Sequence, residues 1–410
     1  MPTRAESDAA FRIPGIAVVI CAQVLYRKVM LRITLKRSLR ASLLCSLALL
    51  LPTRVDAQTP AQVEQNNAAI RVEQVAAGLG VPWGMTFVAS ELLLVSERAG
   101  SARVINLQTG SIARLQGLPA IEAQGQGGLL DVVIGPDYAR DGWIYFTYSK
   151  PVDGNGATTL ARARLEGLQL QDWQDLLVTD SATSSGQHFG SRIAFDRKGH
   201  VFFGVGDRGD RDQAQNPANH QGTIMRLNLD GSVPGDNPYI GQADVRDEIW
   251  SFGHRNPQGV AFDIDNDRLW SIEHGPRGGD EINLVLPGRN YGWPVVSHGK
   301  EYWGPLAVGE GTSKPGMQDP HKVYIPSIAP GSLMLYSGTA FPEWRGSLFA
   351  GALKLRHLNR ISLSASGQVT GEERLLEDLD ERIRAVIEGP GGWIYFSTDS
   401  GRILRIRPVS

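Results

Sequence analysis

A short strand-like phrase recurs six times along this chain. Each copy begins at a turn rich in Asp, Gly or Pro, continues with four or five apolar or aromatic residues, and reaches a Gly, Ser, Asp or Glu. The copies span residues 90–98, 141–148, 198–207, 266–273, 345–352 and 391–399. Strands that repeat at this scale, with almost no helical periodicity, indicate blades arranged around a common axis.

The spacing of the copies predicts the number of strands in each blade. The region from Gln58 to Ser410 provides about 59 residues per copy, which is enough for four strands and one longer loop. A β-sandwich would not show six copies of one phrase, and a parallel β-helix would have a much shorter repeat. The sequence therefore predicts an all-β fold, a six-bladed β-propeller with four-stranded antiparallel blades. Function is expected where loops from several blades converge.

Residues 1–57 differ from the rest and are predicted to be a leader outside the fold. Within residues 30–57, basic residues precede an apolar run at 41–51, and Ala57 ends a plausible cleavage site, as in a signal peptide. The run is short for a membrane span, although an uncleaved anchor is the alternative. We therefore expect a single catalytic domain at 58–410, exported to the bacterial periplasm or secreted, with no stable membrane insertion after cleavage.

Cysteine content and charge narrow the function classes of this predicted domain. The only cysteines, Cys21 and Cys45, fall in the leader, so residues 58–410 contain no disulfide and no thiolate site. The same region carries 32 basic and 40 acidic residues, a net charge of −8. Phosphate binding needs a basic surface, so nucleic acid is not expected as a partner. No GxGxxG motif opens a βαβ unit, which disfavours a nicotinamide cofactor.

One histidine is a candidate general base. His188 stands in the Gly/Ser-rich phrase SSGQHFGSR, and an imidazole titrates near neutral pH. Asp207 ends the next repeated strand and could orient the ring. The alternative is an ordinary solvated loop histidine.

Cationic and amide side chains indicate an anionic, oxygen-rich ligand. Arg255 and Asn256 share the phrase FGHRNPQG, where a guanidinium beside an amide suits a planar acceptor. Arg382 and Arg384 alternate in ERIRAV and so should face one side of a strand. With Lys354, they would form a costly cluster of cations unless an anion lay between them.

Two glycine-rich phrases have a functional and a structural interpretation. Residues 273–283 read EHGPRGGDEIN, where Gly-Pro carbonyls beside carboxylates favour Ca²⁺ over a transition metal. Residues 123–131 read AQGQGGLLD and hold Gln126 between glycines. This second phrase could equally be a turn between blades.

Taken together, seven phrases resemble the soluble quinoprotein aldose sugar dehydrogenases, relatives of the soluble pyrroloquinoline quinone (PQQ) glucose dehydrogenase. They occur in order over 81–408: VPWGM (81–85), GQGGLLDVV (125–133), HFGSRIAFD (188–196), GHRNPQGVAFD (253–263), EHGPRGGDEIN (273–283), NYGWP (290–294) and ERIRAV (381–386). The family fold is a six-bladed propeller, which agrees with the independent count of repeats.

The resemblance implies a role for each matching residue. His188 corresponds to the catalytic base and Asp207 to the carboxylate beside it. The positions that would hold PQQ are Gln126, Arg255, Asn256, Tyr302, Lys354, Arg382 and Arg384, of which Tyr302 and Lys354 match by loop position more than by a motif. The carbonyls of Gly275 and Pro276 would bind the Ca²⁺ that also touches the quinone, and Glu281 and Tyr291 correspond to a further calcium site.

These roles imply the oxidation of an aldose. His188 would remove the proton of the anomeric hydroxyl while the C1 hydride passes to the quinone, with Ca²⁺ as Lewis acid and Arg255 stabilising the oxyanion. The product would be an aldonolactone, and a quinone, cytochrome or dye would accept the electrons. The alternatives are a non-catalytic propeller that binds partners, and a calcium-dependent lactonase or esterase with an acidic, metal-filled tunnel.

Overall fold

The computed structural model describes residues 61–65 and 68–409 and confirms a six-bladed β-propeller. Five sheets have four antiparallel strands and the sixth has five. The predicted leader and both cysteines lie outside the described residues. Within the described part of the chain, no helix is both long enough and apolar enough to cross a membrane.

The strands follow one another blade by blade. Two precede the first blade: β1 (Ala61–Gln65) and β2 (Ala68–Ala76). Blade one contains β3 (Pro82–Ala89), β4 (Leu92–Glu97), β5 (Ser101–Asn106) and β6 (Ile112–Arg114). Blade two contains β7 (Leu129–Ile134), β8 (Trp143–Val152), β9 (Asn155–Glu166) and β10 (Gln169–Val178). Blade three contains β11 (Ile193–Phe195), β12 (His200–Val205), β13 (Thr223–Asn228) and β14 (Ile249–Phe252). Blade four contains β15 (Pro257–Asp263), β16 (Arg268–Glu273), β17 (Asp280–Val285) and β18 (Lys322–Tyr324). Blade five contains β19 (Met334–Leu335), β20 (Leu348–Gly351), β21 (Leu358–Leu363) and β22 (Val369–Leu375). Blade six contains β23 (Ile383–Glu388), β24 (Ile394–Thr398) and β25 (Ile403–Pro408).

Helical structure in the described residues is confined to single turns between strands. These are the α-helical turn α1 (Tyr138–Asp141) and the 3₁₀ turns Arg211–Gln215, Pro342–Trp344, Glu377–Leu379 and Pro390–Gly392.

Each copy of the repeated phrase forms the second strand of its blade, namely β4, β8, β12, β16, β20 and β24. A second strand has a strand on either side, and both faces of its sheet pack on neighbouring blades. Phe146, Phe203 and Phe396 on these strands are fully buried. This burial on both faces explains why the phrase is a continuous apolar run and does not alternate with polar residues.

The ring is closed by a strand from the other end of the described chain. β2 pairs antiparallel with β25 and so completes the last blade. The Glu73 carboxylate accepts hydrogen bonds from Arg405 Nε at 2.8 Å and Arg407 Nε at 2.7 Å, which ties the two strands together. The repeated phrase does not predict this closure, because β2 lies before its first copy.

A single buried guanidinium, that of Arg192, connects all six blades. Arg192 immediately precedes β11 in blade three and donates to Asp131 Oδ1 in blade two at 3.0 Å. It also lies 3.9 Å from the centre of the Trp83 ring in blade one. Its remaining acceptors are the carbonyls of Gln258, Gly331 and Arg384, from blades four, five and six.

The candidate functional residues all lie on one face of the propeller. In an antiparallel pair, the start of the first strand and the end of the second strand share one edge. The loops before β7, β11, β15 and β23 and the loops after β4, β12, β16, β20 and β24 therefore meet on the same side of the ring. The repeated phrase runs toward this face in every blade.

Candidate active site

A histidine–aspartate pair occupies the third blade on this face. His188 Nδ1 lies 2.5 Å from Asp207 Oδ1, and the two residues are only 7% and 1% exposed. Because a carboxylate accepts hydrogen bonds, Nδ1 carries the proton and Nε2 remains the bare acceptor that a general base requires. The other Asp207 oxygen accepts from Trp293 Nε1 at 2.7 Å, which fixes the carboxylate.

Electrostatics keep this histidine neutral near pH 7. Burial lowers the pKa of His188 below its ordinary value of 6.5, and the charge of Arg255 adds to this shift, whereas Asp207 opposes it. Burial alone would raise the pKa of Asp207, but its hydrogen bond with His188 and the Gly209 N–H hold that pKa below its usual value. An ionised carboxylate thus orients an uncharged imidazole.

The backbone around His188 is held in an unusual conformation. His188 has a φ of 54°, in the left-handed region that residues with a side chain seldom adopt. Its N–H donates to Gln126 Oε1 at 2.9 Å, so the Gln126 loop of blade two supports the His188 loop of blade three. A side chain at Gly206 would place its Cβ 2.5 Å from the His188 carbonyl oxygen, so only glycine allows this approach. Such local strain is common at functional sites.

Arg208 binds the main chain of the loop that carries His188. The sequence did not indicate it as a site residue. Its guanidinium is buried, lies 3.3 Å from the centre of the Phe189 ring, and donates to main-chain carbonyls of the 181–188 loop. Those acceptors are Ser181 at 3.0 Å, Ser185 at 3.1 Å and Gln187. Arg208 therefore positions His188 through the loop that carries it.

Arg255 supplies donors beside the pair. Its guanidinium contacts the Gly275 carbonyl at 2.9 Å and the Tyr302 hydroxyl at 3.4 Å. Arg255 is 7% exposed, and its Nε is buried without a hydrogen-bond partner among the described residues. An unpartnered buried donor is costly unless a ligand satisfies it. Arg255 therefore suits an oxygen atom of a bound ligand.

A cavity of about 170 Å³ lies next to these groups. Its lining combines guanidiniums, amides and aromatic or apolar walls: Trp83, Arg98, Gln126, Phe189, Gln258, His274, Ala329, Leu353, Arg382 and Arg384. Burial lowers the pKa of His274 to about 3, so this ring is neutral, and its Nε2–H donates to the Pro330 carbonyl at 2.6 Å. The charges of Arg255, His188 and Arg384 each add to the lowering of that pKa.

The two arginines of ERIRAV share one carboxylate. Arg382 Nε lies 2.8 Å from Asp399 Oδ2, and Arg384 donates to both oxygens of Asp399 at 2.9 and 3.0 Å. The sequence predicted an anionic ligand as their counterion. The structure adds an internal one, which lowers the cost of placing two cations side by side but leaves an excess of positive charge.

Three predicted cofactor residues have other placements. Asn256 is buried, and its side-chain oxygen accepts from Gly190 N at 3.2 Å, so this oxygen supports a loop. Tyr302 is 67% exposed at the rim of the site. Lys354 is exposed and does not line the cavity. The structure therefore brings Gln126, Arg382 and Arg384 to the cavity wall, with Tyr302 and Lys354 outside it.

Three of the four predicted calcium ligands, Gly275, Glu281 and Tyr291, line one small cavity. The carbonyl of Gly275 points to the Arg255 guanidinium, in a turn so tight that a Cβ at Gly275 would lie 2.2 Å from the Gly279 oxygen. The Tyr291 hydroxyl donates to the Leu284 carbonyl at 2.6 Å, so only the Tyr291 main chain could bind a metal. No group of three or more His, Cys, Asp or Glu side chains within 61–65 and 68–409 forms a ready metal site.

Glu281 is the one carboxylate among the predicted calcium ligands. The small cavity around it is also lined by Glu273, Ser297 and the cationic Arg255. Loss of hydration and the neighbouring Glu273 raise the pKa of Glu281. Glu273 itself is occupied by His254 Nδ1 at 2.9 Å and other donors. A Ca²⁺ ion would relieve the repulsion between these acids and would accept carbonyl oxygens as further ligands.

Comparison with known proteins assigns the chain to a family. Residues 79–405 match the Glucose / Sorbosone dehydrogenase family. The chain belongs to this family. The resemblance inferred from the seven phrases is thereby confirmed at the family level.

Sugar dehydrogenases from other organisms are similar to this chain over most of its length. Aldose sugar dehydrogenase YliI of Escherichia coli is 39% identical over 351 residues, 83% of this chain and 94% of YliI. Quinoprotein glucose dehydrogenase B of Acinetobacter calcoaceticus is 28% identical over 409 residues, 80% of this chain and 84% of that protein. The PQQ-bound structure of aldose sugar dehydrogenase from Streptomyces coelicolor matches with a TM-score of 0.69 and 27% identity, over 84% of this chain and 99% of that one.

Proposed function

We propose that this member of the family is a PQQ-dependent dehydrogenase that oxidises the anomeric hydroxyl of aldoses to aldonolactones. One observation carries the proposal. His188, oriented by Asp207 at 2.5 Å, lies beside Arg255, whose Nε has no partner among the described residues, and next to a cavity walled by arginines. The quinoprotein name of one relative and the PQQ-bound neighbour support the choice of cofactor.

The chain's own residues account for the acid–base part of this chemistry. His188 Nε2 is free to accept the proton of the anomeric hydroxyl, and Asp207 stabilises the imidazolium that forms. Arg255 holds an oxygen of the reacting ligand through donors that are already desolvated. When bound, PQQ supplies the two-electron acceptor that takes the hydride from C1. The sugar thus loses one proton and one hydride, and the ring oxygen and C1 remain bonded in the lactone.

The cavity suits the shape and charge of PQQ, a planar tricarboxylate. Arg382 and Arg384 would hold carboxylates, and Trp83 and Phe189 supply aromatic walls to the cavity. Guanidinium forks bind carboxylates in two-point contacts, which orient as well as attract. Gln126, which also supports His188, would contact the cofactor from the same wall.

We also propose a role for Ca²⁺, in the two places that the sequence indicated. The carbonyls of Gly275 and Pro276 provide two oxygen ligands, whereas Ca²⁺ takes six to eight. The remaining ligands at that position would come from the bound cofactor and water. Glu281 with the Tyr291 carbonyl offers a site that does not depend on the cofactor.

Calcium is expected to stabilise the apoprotein through Glu281. At a Ca²⁺ concentration about 100 times the dissociation constant, binding to the native state adds about 3 kcal/mol, equivalent to a rise of roughly 4 °C in Tm for a domain of this size. Glu281→Gln removes the charge at similar size and should abolish most of this rise. Thermal unfolding with and without Ca²⁺ measures it.

The matched control for this variant is Glu310→Gln, an exposed acid paired with Lys314 at 2.7 Å. It should keep the full calcium response. An equal rise in Tm for Glu281→Gln and the unmodified protein would contradict calcium binding at Glu281.

Reconstitution tests the proposed function directly. Purified apoprotein, incubated with PQQ and Ca²⁺, should reduce a dye when supplied with aldoses, and omission of PQQ should remove the activity. A panel that includes 1-deoxy sugars supplies the control, because these lack the anomeric hydroxyl and should not react. Dye reduction without PQQ, or equal rates with 1-deoxy sugars, would overturn the proposal.

The other two functions receive less support from the site. A calcium-dependent lactonase would need an acidic central tunnel, but the cavity found here is lined by Arg98, Arg382 and Arg384. A non-catalytic binding module would not require a buried His188–Asp207 pair held in a strained loop. Export to the periplasm and reduction of a quinone, cytochrome or dye are further parts of the proposal, and export is based on residues 30–57 alone.

A further inference from the structure

The cavity contains a third guanidinium that no sequence motif pointed out. Arg98 directly follows β4 and lines the cavity together with Arg382 and Arg384. Its side chain makes no hydrogen bond or ion pair within the described part of the chain. Burial lowers the pKa of Arg98, Arg384 and Arg382 add to that shift, and Asp399 opposes it, so the three cations and this one carboxylate lie within mutual electrostatic range.

The charges in this cluster do not balance. Asp399 is the carboxylate that pairs with Arg382 and Arg384, and both of its oxygens are used in doing so. Arg98 therefore faces two like charges and the single carboxylate of Asp399, with which it forms no ion pair. Cations clustered in this way are destabilising unless an anion enters.

We propose that Arg98 is a binding residue for a carboxylate of the cofactor, and that it contributes more to cofactor affinity than the exposed Lys354. This inference rests on the proposed function, since it takes PQQ as the anion. The guanidinium of Arg98 approaches from blade one, whereas Arg382 and Arg384 approach from blade six. A planar tricarboxylate between them would satisfy all three guanidiniums and offset their repulsion.

The test compares PQQ affinity in the apoprotein of Arg98→Gln, Arg98→Lys and Lys354→Gln. Binding is followed by quenching of tryptophan fluorescence, since Trp83 lines the cavity, and is checked by equilibrium dialysis. Arg98→Gln should raise the Kd by about 10- to 100-fold, the loss expected for a charge-assisted contact. Arg98→Lys should have an intermediate effect, and Lys354→Gln should stay within about threefold of the unmodified protein.

A purely structural role for Arg98 gives a different result. If the side chain served the fold, Arg98→Gln would lower the Tm of the apoprotein, whereas removal of a repelled cation should leave the Tm unchanged or raise it. An unchanged Kd in Arg98→Gln, or a larger effect from Lys354→Gln, would overturn the inference while leaving the proposed function intact. Failure of the unmodified protein to bind PQQ would overturn both.

Discussion

Replacing His188 with glutamine should lower kcat by about 10²- to 10⁴-fold, the usual contribution of general base catalysis. Glutamine keeps a polar side chain of similar length, so PQQ affinity should stay within about threefold. Asp207→Asn should also lower kcat, because an amide can donate to Nδ1 and shift the proton to Nε2, where the base is needed. Steady-state kinetics with reconstituted enzyme and a separate binding titration distinguish these effects.

The matched control is a second histidine–aspartate pair in the same blade. His200 Nδ1 lies 2.8 Å from Asp196 Oδ2, but His200 begins β12 and so lies at the opposite edge from Asp207. His200→Gln should keep kcat within about twofold. A full rate in His188→Gln would reject His188 as the base.

The dependence of kcat/KM on pH should also report on His188 as the general base. The pKa of His188 lies below 6.5 in the free protein, so the imidazole is neutral and competent at pH 7. As the pH falls through that pKa, protonation should remove the base, and kcat/KM should decline on the acid side. In Asp207→Asn this limb should move to lower pH, because the ionised carboxylate no longer favours the imidazolium.

Replacing Arg192 with methionine should destabilise the fold by about 3–5 kcal/mol, because removal of one member of a buried ion pair leaves the other charge buried without a counterion. Asp131 would lose its counterion, and the carbonyls of Gln258, Gly331 and Arg384 would lose a donor. Burial already raises the pKa of Asp131, against the effect of Arg192, so removal of Arg192 should raise it further. Urea unfolding near neutral pH measures the loss.

The Asp131 carboxyl group determines how the stability loss in Arg192→Met depends on pH. A raised pKa in the folded state favours folding when the group is protonated and opposes folding as the pH rises. The stability gap between Arg192→Met and the unmodified protein should therefore narrow in acid. The double variant Arg192→Met/Asp131→Asn should recover part of the loss, and Lys198→Met, which breaks the exposed pair with Asp267, should cost less than about 1 kcal/mol. A loss below about 1 kcal/mol for Arg192→Met would contradict the role of Arg192 in connecting the blades.

The architecture could be predicted because the repeated phrase is a direct consequence of packing. A second strand buried on both faces must be apolar along its length, and six such runs require six sheets. The closing strand β2 could not be predicted in this way. It lies between β1 and β25 in its sheet, and its sequence carries no copy of the phrase.

The site could be predicted where motifs concentrate chemistry in one loop. His188 and Arg255 stand in distinctive phrases, whereas Arg98 and Asp399 are single charged residues just beyond apolar strands. Their positions still carried a signal, because both end a copy of the repeated phrase, as Asp207 does. The hydrogen bond between Trp293 and Asp207 joins residues 86 positions apart, so no local sequence motif predicts it.

The pairing of β2 with β25 joins side chains 332 positions apart in the chain. Each blade can form from contacts that are local in sequence, but the last sheet must wait until both ends of the domain are present. Loop-closure entropy makes such distant pairings slow to form. Assembly of the ring is therefore expected to finish at this seam, after the individual sheets have formed. An interrupted or truncated chain would leave the unpaired edges of β2 and β25 exposed to association with other chains.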